Sequence, residues 1–351
     1  IRYAGFNEEG DVNLIEPAHN QLSRFIDELH RNAGIPGIAG EWLMGLAALI
    51  YGVALVSGVI MFLPTFARNI FALRFGQNLR RIWLDVHNCL GVLSLPFHIM
   101  FALTGAVMCL HDPMLDMMNK FVYPNNGRQL LMETIYPLPS TITESVPADM
   151  LPAKTLLENV KRNYPDFEPA VLIYMKPYTQ DGTLSIIGHI PEHLAHQTMI
   201  VVSPVSGEIL GSHLPGNRPD GIVALTGFRA LHFGDFGGYG VAWIYLALGL
   251  AGAFLFYSGN LLWLESRRRK KQIPQKKTHT YLAKLTVAIC LGCCLAISSA
   301  FLVAKWGLLS GESGLNLLAL YWTVILVSLL WACMRSVILA ARGLLIAMCD
   351  V

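Results

Sequence analysis

Two histidines stand where histidine is least expected, inside a long apolar run. The run reads Trp83-Leu-Asp-Val-His87-Asn-Cys-Leu-Gly-Val-Leu-Ser-Leu-Pro96-Phe-His98, so His87 and His98 are 11 residues apart. On one continuous helix that is about 1100°, roughly 20° past three full turns, with ~16 Å of rise between them. Both imidazoles would then share a face at two depths. Ionisable groups inside a membrane span are expensive and usually functional. Neutral imidazoles stacked in a water-excluding bundle are what a pair of haem irons needs. The plain alternatives are an interfacial residue at His87 and an interhelical hydrogen bond at His98. Pro96 can kink the helix. His111 falls about 140° from His98 on the same wheel and reads as a cap on the outer end of the span.

The opposite ligands must come from other helices, and an internal repeat points to two. Residues 25–63 and 228–264 each carry Leu-His, a glycine-rich turn and an apolar span ending near Ser-Gly. His30 precedes Ser57 by 27 positions, and His232 precedes Ser258 by 26. Before each histidine, apolar residues recur at helical spacing: Leu22, Phe25, Ile26 and Leu29, then more weakly Val223, Gly227 and Leu231. We read both as short helices on the outer membrane face, with His30 and His232 at equivalent places in a duplicated bundle. An inner partner for His87 is His279 or a histidine on a helix upstream. Three further histidines, His189, His193 and His196, read as a solvated turn in preference to a metal or ferric-substrate contact. Cys290, Cys293 and Cys294 read as filling for a helix contact in preference to metal ligands.

These residues must be positioned by membrane helices. The chain is 54% hydrophobic and 14% charged, against about 25% charged for a soluble domain, and its mean hydropathy is +0.47. Five apolar stretches, Trp42–Leu63, Ile82–Leu110, Tyr239–Leu264, Leu282–Ala304 and Leu317–Ala340, each reach the ~20 residues that cross a bilayer. Basic residues follow the first (Arg68, Arg74, Arg80, Arg81) and the third (Arg267 to Lys271, Lys276, Lys277). The positive-inside rule makes both loops and the C-terminus cytoplasmic, and residues 111–237 periplasmic. An outside N-terminal segment with no signal peptide, opening on Ile1, leads us to expect a further helix upstream.

Residues 111–237 differ in kind. An amphipathic helix at 153–164 is followed by strands at 170–176, 183–190, 197–203 and 208–210, with a turn at Pro204–Gly207. The expected fold is mainly α: a polytopic transmembrane bundle carrying a small periplasmic α+β domain. Its parts are a segment at 1–40, a transmembrane hairpin at 41–110, the α+β domain at 111–237, a second hairpin at 238–305 and a last helix at 306–351. A net charge of +2 gives no argument for nucleic acid. No GxGxxG, Walker A, HExxH or GxSxG motif is present, which points to a separate protein or a lipid-soluble molecule as electron donor and argues against a hydrolase.

The order LH…G…SG-span, basic loop, DVHNCLGVLSLPFHIMFALTGAV, α+β domain ending MIVVSPVSGEIL, LHFGDFGG-span and RRRKK resembles the PepSY-associated transmembrane-helix family over nearly all of residues 20–305. The α+β domain looks like a PepSY module. The resemblance implies an inner-membrane location and relatives among b-type haem reductases of ferric siderophores, in bacterial iron uptake. It implies one or two haems held by His87, His98, His30 and His232, with His111 and His279 as weaker candidates. A quinol or flavin would donate electrons, and a ferric siderophore or other ferric chelate would accept them. The family pattern usually begins with a further histidine-bearing helix. The rival readings are a non-redox PepSY module that binds a periplasmic partner and a transporter component.

Overall fold

The computed structural model describes residues 3–6, 12–15, 21–69, 72–74, 76, 78–124, 126–127, 129–131, 146–191, 193–194, 196–267, 277–306 and 316–351. In chain order these form a short hairpin, β1 (Tyr3–Phe6) and β2 (Val12–Ile15), then α1 (Gln21–Asn32), α2 (Ile38–Phe62), a 3-10 turn and α3 (Phe66–Asn69). Next come α4 (Leu79–Leu93), α5 (Leu95–Phe121), α6 (Ala153–Asn163) and the strands β3 (Glu168–Met175), β4 (Thr183–His189), β5 (Gln197–Val202) and β6 (Ile209–Ser212). The chain closes with α7 (Asp220–Phe233), α8 (Gly238–Ser266), α9 (Lys277–Lys305), α10 (Leu317–Met334) and α11 (Val337–Asp350). Five of the helices are long and apolar enough to cross a membrane: Ile38–Asn69, Leu95–Phe121, Gly238–Ser266, Lys277–Lys305 and Leu317–Met334. The molecule is a multi-pass helical membrane protein with a small α+β domain.

The second span differs from expectation. It is not one helix over Ile82–Leu110: α4 stops at Leu93, Ser94 leaves the helical region (φ −94°, ψ 1°), and α5 starts afresh with Pro96 in its first turn. Proline has no N–H to donate to the carbonyl four residues back, and its ring clashes there, whereas the first turn of a new helix accommodates it. α5 then runs on to Phe121, so the expected 110/111 boundary falls inside a helix and His111 is no cap. The last stretch also breaks. α10 ends at Met334, Arg335 is extended, and the Ser336 hydroxyl caps α11 by accepting from the Leu339 N–H at 3.4 Å.

The chain divides into two compact units, one of Ile1–Met44, Phe62–Leu93 and Ala251–Val351, the other of Gly45–Met61 and Ser94–Leu250. In the first, α9 packs on α10 and α11 through small residues. Ala288, Ala296 and Ala300 are fully buried, and a Cβ on Gly292 would stand 2.8 Å from Ser328. Without water between helices as a driving force, such close approach supplies the packing. Phe25 of α1 is buried against Ala296, Ala300 and Tyr321. The apolar face of α1 is therefore spent on α9 and α10, where the sequence suggested a helix resting on lipid. Beside α4, the carboxylate of buried Asp85 accepts from Arg74 Nη2 at 2.9 Å and lies 3.7 Å from Arg81 Nε.

In the second unit, Gly52 of α2 faces Ala102 of α5, and Gly105 faces Ala48. The α+β domain is an antiparallel sheet in the order β3-β4-β5-β6. Leu156 and Val160 of α6 are buried with Phe167, Leu184, Ile186, Ile200 and Val202. The four strands and the helix lie where the alternation placed them. Gly207 turns the chain between β5 and β6 at φ 76°.

Candidate functional site

His98 lies in the first turns of α5, 3% exposed. Its Nε2 is buried with no hydrogen-bond partner among the described residues. Tyr51 of α2 meets the ring edge-on, with centroids 6.0 Å apart, and Phe97 does so at 5.7 Å. An unsatisfied polar atom at this depth costs about 1–3 kcal/mol, and an iron ligand is one explanation for such an atom.

His232, in the last turn of α7, belongs to the same unit and the same aromatic cluster. Its ring packs on Phe101 (5.2 Å), which contacts Phe97 (4.3 Å) and Tyr245 (5.6 Å). His232 Nδ1 is 2.9 Å from Thr104 Oγ1, and that hydroxyl donates to the Met100 carbonyl at 2.8 Å. A hydroxyl has one proton. Given to Met100, it leaves the oxygen to accept from His232 Nδ1–H, which keeps the ring's lone pair on Nε2. Gly105 lies beside the ring, and a Cβ there would be in ordinary contact with His232 Cε1 at 3.8 Å. His98, Phe101 and Gly105 lie at i, i+3 and i+7, on one face of α5 within about 10 Å of axis. Gly234 ends α7 in the left-handed region (φ 65°), and the Tyr245 hydroxyl donates to the Leu231 carbonyl at 2.6 Å, holding this turn to α8.

His87 belongs to the other unit, on α4. Its Nδ1 is 2.8 Å from the Oγ of Ser258, a fully buried residue of α8. A Cβ on Gly259 would stand 3.2 Å from His87 Cε1, a tight contact that glycine relieves. Trp83, one turn earlier on α4, stacks on Phe254 at 5.5 Å and 13°. The repeat equivalents are open: among the described residues Ser57 bonds its own helix, at the Ala54 carbonyl, and a Cβ on Gly58 would meet nothing within 4 Å.

The remaining candidates are less confined. His30 is exposed at the end of α1, on a shallow groove with Ile26, Asp27 and Phe301. His111 is exposed in mid-α5, where its Nδ1 donates to the Met108 carbonyl at 2.8 Å and its Nε2 lies 3.3 Å from Asp112. His279 is half-buried near Trp263 and lines a cavity with Ser258. The continuous stripe expected of His87 and His98 is not carried by one helix, because Ser94 separates α4 from α5. Cys293 Sγ touches the Tyr321 hydroxyl at 3.4 Å, a helix contact as expected.

Sequence reasoning missed the partners. Thr104, Ser258, Gly105 and Gly259 were visible only as small residues in spans, although Ser258-Gly259 marked the repeat. It also missed the carboxylates near the histidine tract. His189 Nε2 is 2.8 Å from Glu168, and His196 Nε2 is 3.8 Å from Asp235, which pairs with Arg229. His213, just past β6, is buried with neither ring nitrogen bonded among the described residues. Among the described residues no three His, Cys, Asp or Glu side chains converge to hold a bare metal ion. A porphyrin brings four nitrogens of its own and asks the protein for one or two imidazoles. The buried His98 and the half-buried His87 and His232, the latter two with Nδ1 set against a hydroxyl, fit that demand.

Residues 6–266 match the family described as PepSY-associated TM region. A similar protein is the uncharacterized protein PA4219 of Pseudomonas aeruginosa, 26% identical over 315 residues, which are 87% of this chain and 76% of that one. The family match takes in the elements that carry His30, His87, His98, His232 and Ser258, and well over half the length. The chain belongs to the PepSY-associated TM region family.

Proposed function

We propose that this protein is a b-type haem oxidoreductase that carries electrons across a bacterial inner membrane to a periplasmic ferric chelate. The observation that carries the reading is His98: a buried imidazole whose Nε2 has no partner among the described residues, sharing an aromatic cluster with His232, whose Nδ1 is set against the Thr104 hydroxyl. We assign this pair to one haem and His87, oriented by Ser258, to a second. Bound there, haem supplies reversible one-electron transfer. The protein's part is to orient the imidazoles, exclude water and set the depth of each site. Reduction of a ferric chelate releases iron because hard-donor chelators hold Fe(III) far better than Fe(II).

The test is an absorption spectrum of the purified protein from haem-replete cells, oxidised and then reduced with dithionite, with haem counted by pyridine haemochrome. We expect b-type bands, and loss of at least one haem in His98→Ala with the fold intact. A colourless protein, or full haem retention in His98→Ala and His232→Ala alike, overturns the assignment. A colourless protein would favour the non-redox reading. The edge strand β3 supports that one, since Val171, Ile173 and Met175 stand 38–57% exposed, as a strand-adding partner would require.

A further inference from the structure

We propose that the cavity where α4, α8, α9 and α11 meet at their ends is a quinol-oxidation site; this rests on the redox reading above and chooses between its two donor classes. The cavity measures about 640 Å³, within the range of small-molecule sites. Trp83, Leu261 and Ile338 give it apolar walls, and Arg80, Glu265 and His279 give it polar ones. Ser258 is also in its lining, and the hydroxyl of Ser258 is 2.8 Å from His87 Nδ1. A ring bound here is one hydrogen-bonded side chain from the imidazole we assign to a redox cofactor.

The chemistry of the lining selects the ligand. A quinol is a flat ring with two hydroxyl donors and an apolar tail, and it reaches this depth through the bilayer. Its oxidation breaks two O–H bonds and yields the quinone, two electrons and two protons. The electrons would leave singly to the cofactor that His87 would hold, and the two would balance the reduction of two ferric chelates to the ferrous state. The protons pass to Glu265 and His279 and on to the water at this end of the helices. A flavin mononucleotide or a nicotinamide nucleotide would bring phosphate, which wants a cradle of backbone N–H groups or several cations. Among the described residues of the lining there is one cation, Arg80, and no glycine-rich turn. Ala283 also lines the cavity, so a large side chain there would fill it.

The test uses the full chain in nanodiscs of phosphatidylcholine, freed of endogenous quinone, and titrates decylubiquinone by quenching of tryptophan fluorescence. Saturable binding is expected, weakened about tenfold or more in His279→Leu, which removes a hydrogen-bonding partner, and in Ala283→Trp. An azido-quinone should label peptides from the end of α8 and the start of α9. That measurement decides the matter on the unmodified protein if Ala283→Trp fails to fold. No saturable binding, labelling elsewhere, or binding in detergent that phosphatidylcholine abolishes would overturn the site, the last showing that lipid fills it. Haem is counted on the same samples. Quinone bound in the cavity of a haem-free protein would sink the redox reading and leave the site, while a haem-bearing protein that binds no quinone would sink the site alone.

Discussion

At the scale of single residues, the hydroxyls of Thr104 and Ser258 would do for His232 and His87, on the reading proposed above, what an outer-shell partner does at a metal centre: each holds its ring in place through Nδ1. Thr104→Val keeps the shape of the side chain and removes the acceptor, and Ser258→Ala does the same on α8. Each should loosen cofactor retention at its own histidine by about 10–100-fold, read as haem lost during gel filtration and as a changed reduced spectrum. If both variants hold haem as the native protein does, the positioning role is wrong. The histidines were legible because a titratable group in an apolar run is conspicuous in one dimension. Their partners were not, since Thr104 lies 128 positions from His232 and Ser258 lies 171 from His87, and a hydroxyl or a glycine in a span has many uses.

At the scale of elements, the Arg74–Asp85 pair fastens α4 to the segment that precedes it. Asp85 is 2% exposed and accepts from Arg74 Nε, Nη2 and backbone N–H. Asp85→Asn leaves part of that donor set without a charged acceptor. It should cost about 2–4 kcal/mol, seen as a lower melting temperature in detergent, with Arg74→Lys milder; an unchanged melting curve in both would show the pair to be idle. The strands of the α+β domain were readable because alternation and turn residues are local. The division of the second span at Ser94 was not, although Pro96 signalled it. A proline in an apolar run fits a kink as well as a new helix, and only the carbonyls around it decide.

At the scale of the whole molecule, the arginine- and lysine-rich loops set an expected orientation that labelling can check. With the seven native cysteines replaced, a cysteine at Asp181 should react with a membrane-impermeant maleimide on intact spheroplasts, and one at Lys277 only after lysis. The reverse pattern would turn the molecule over and reverse the direction of the electron flow proposed above. Spans and charges were legible because they are matters of composition; how α1 would spend its apolar face was not, since lipid and helix present the same chemistry to Phe25. The fresh start of α5 has a consequence for His98, the fourth residue of that helix. Its Cβ tilts toward the helix start, where Pro96 has no N–H to give and the backbone of a new first turn lies within reach of the ring. The place where proline forces a helix to begin therefore sets the polar surroundings of that imidazole with backbone groups alone.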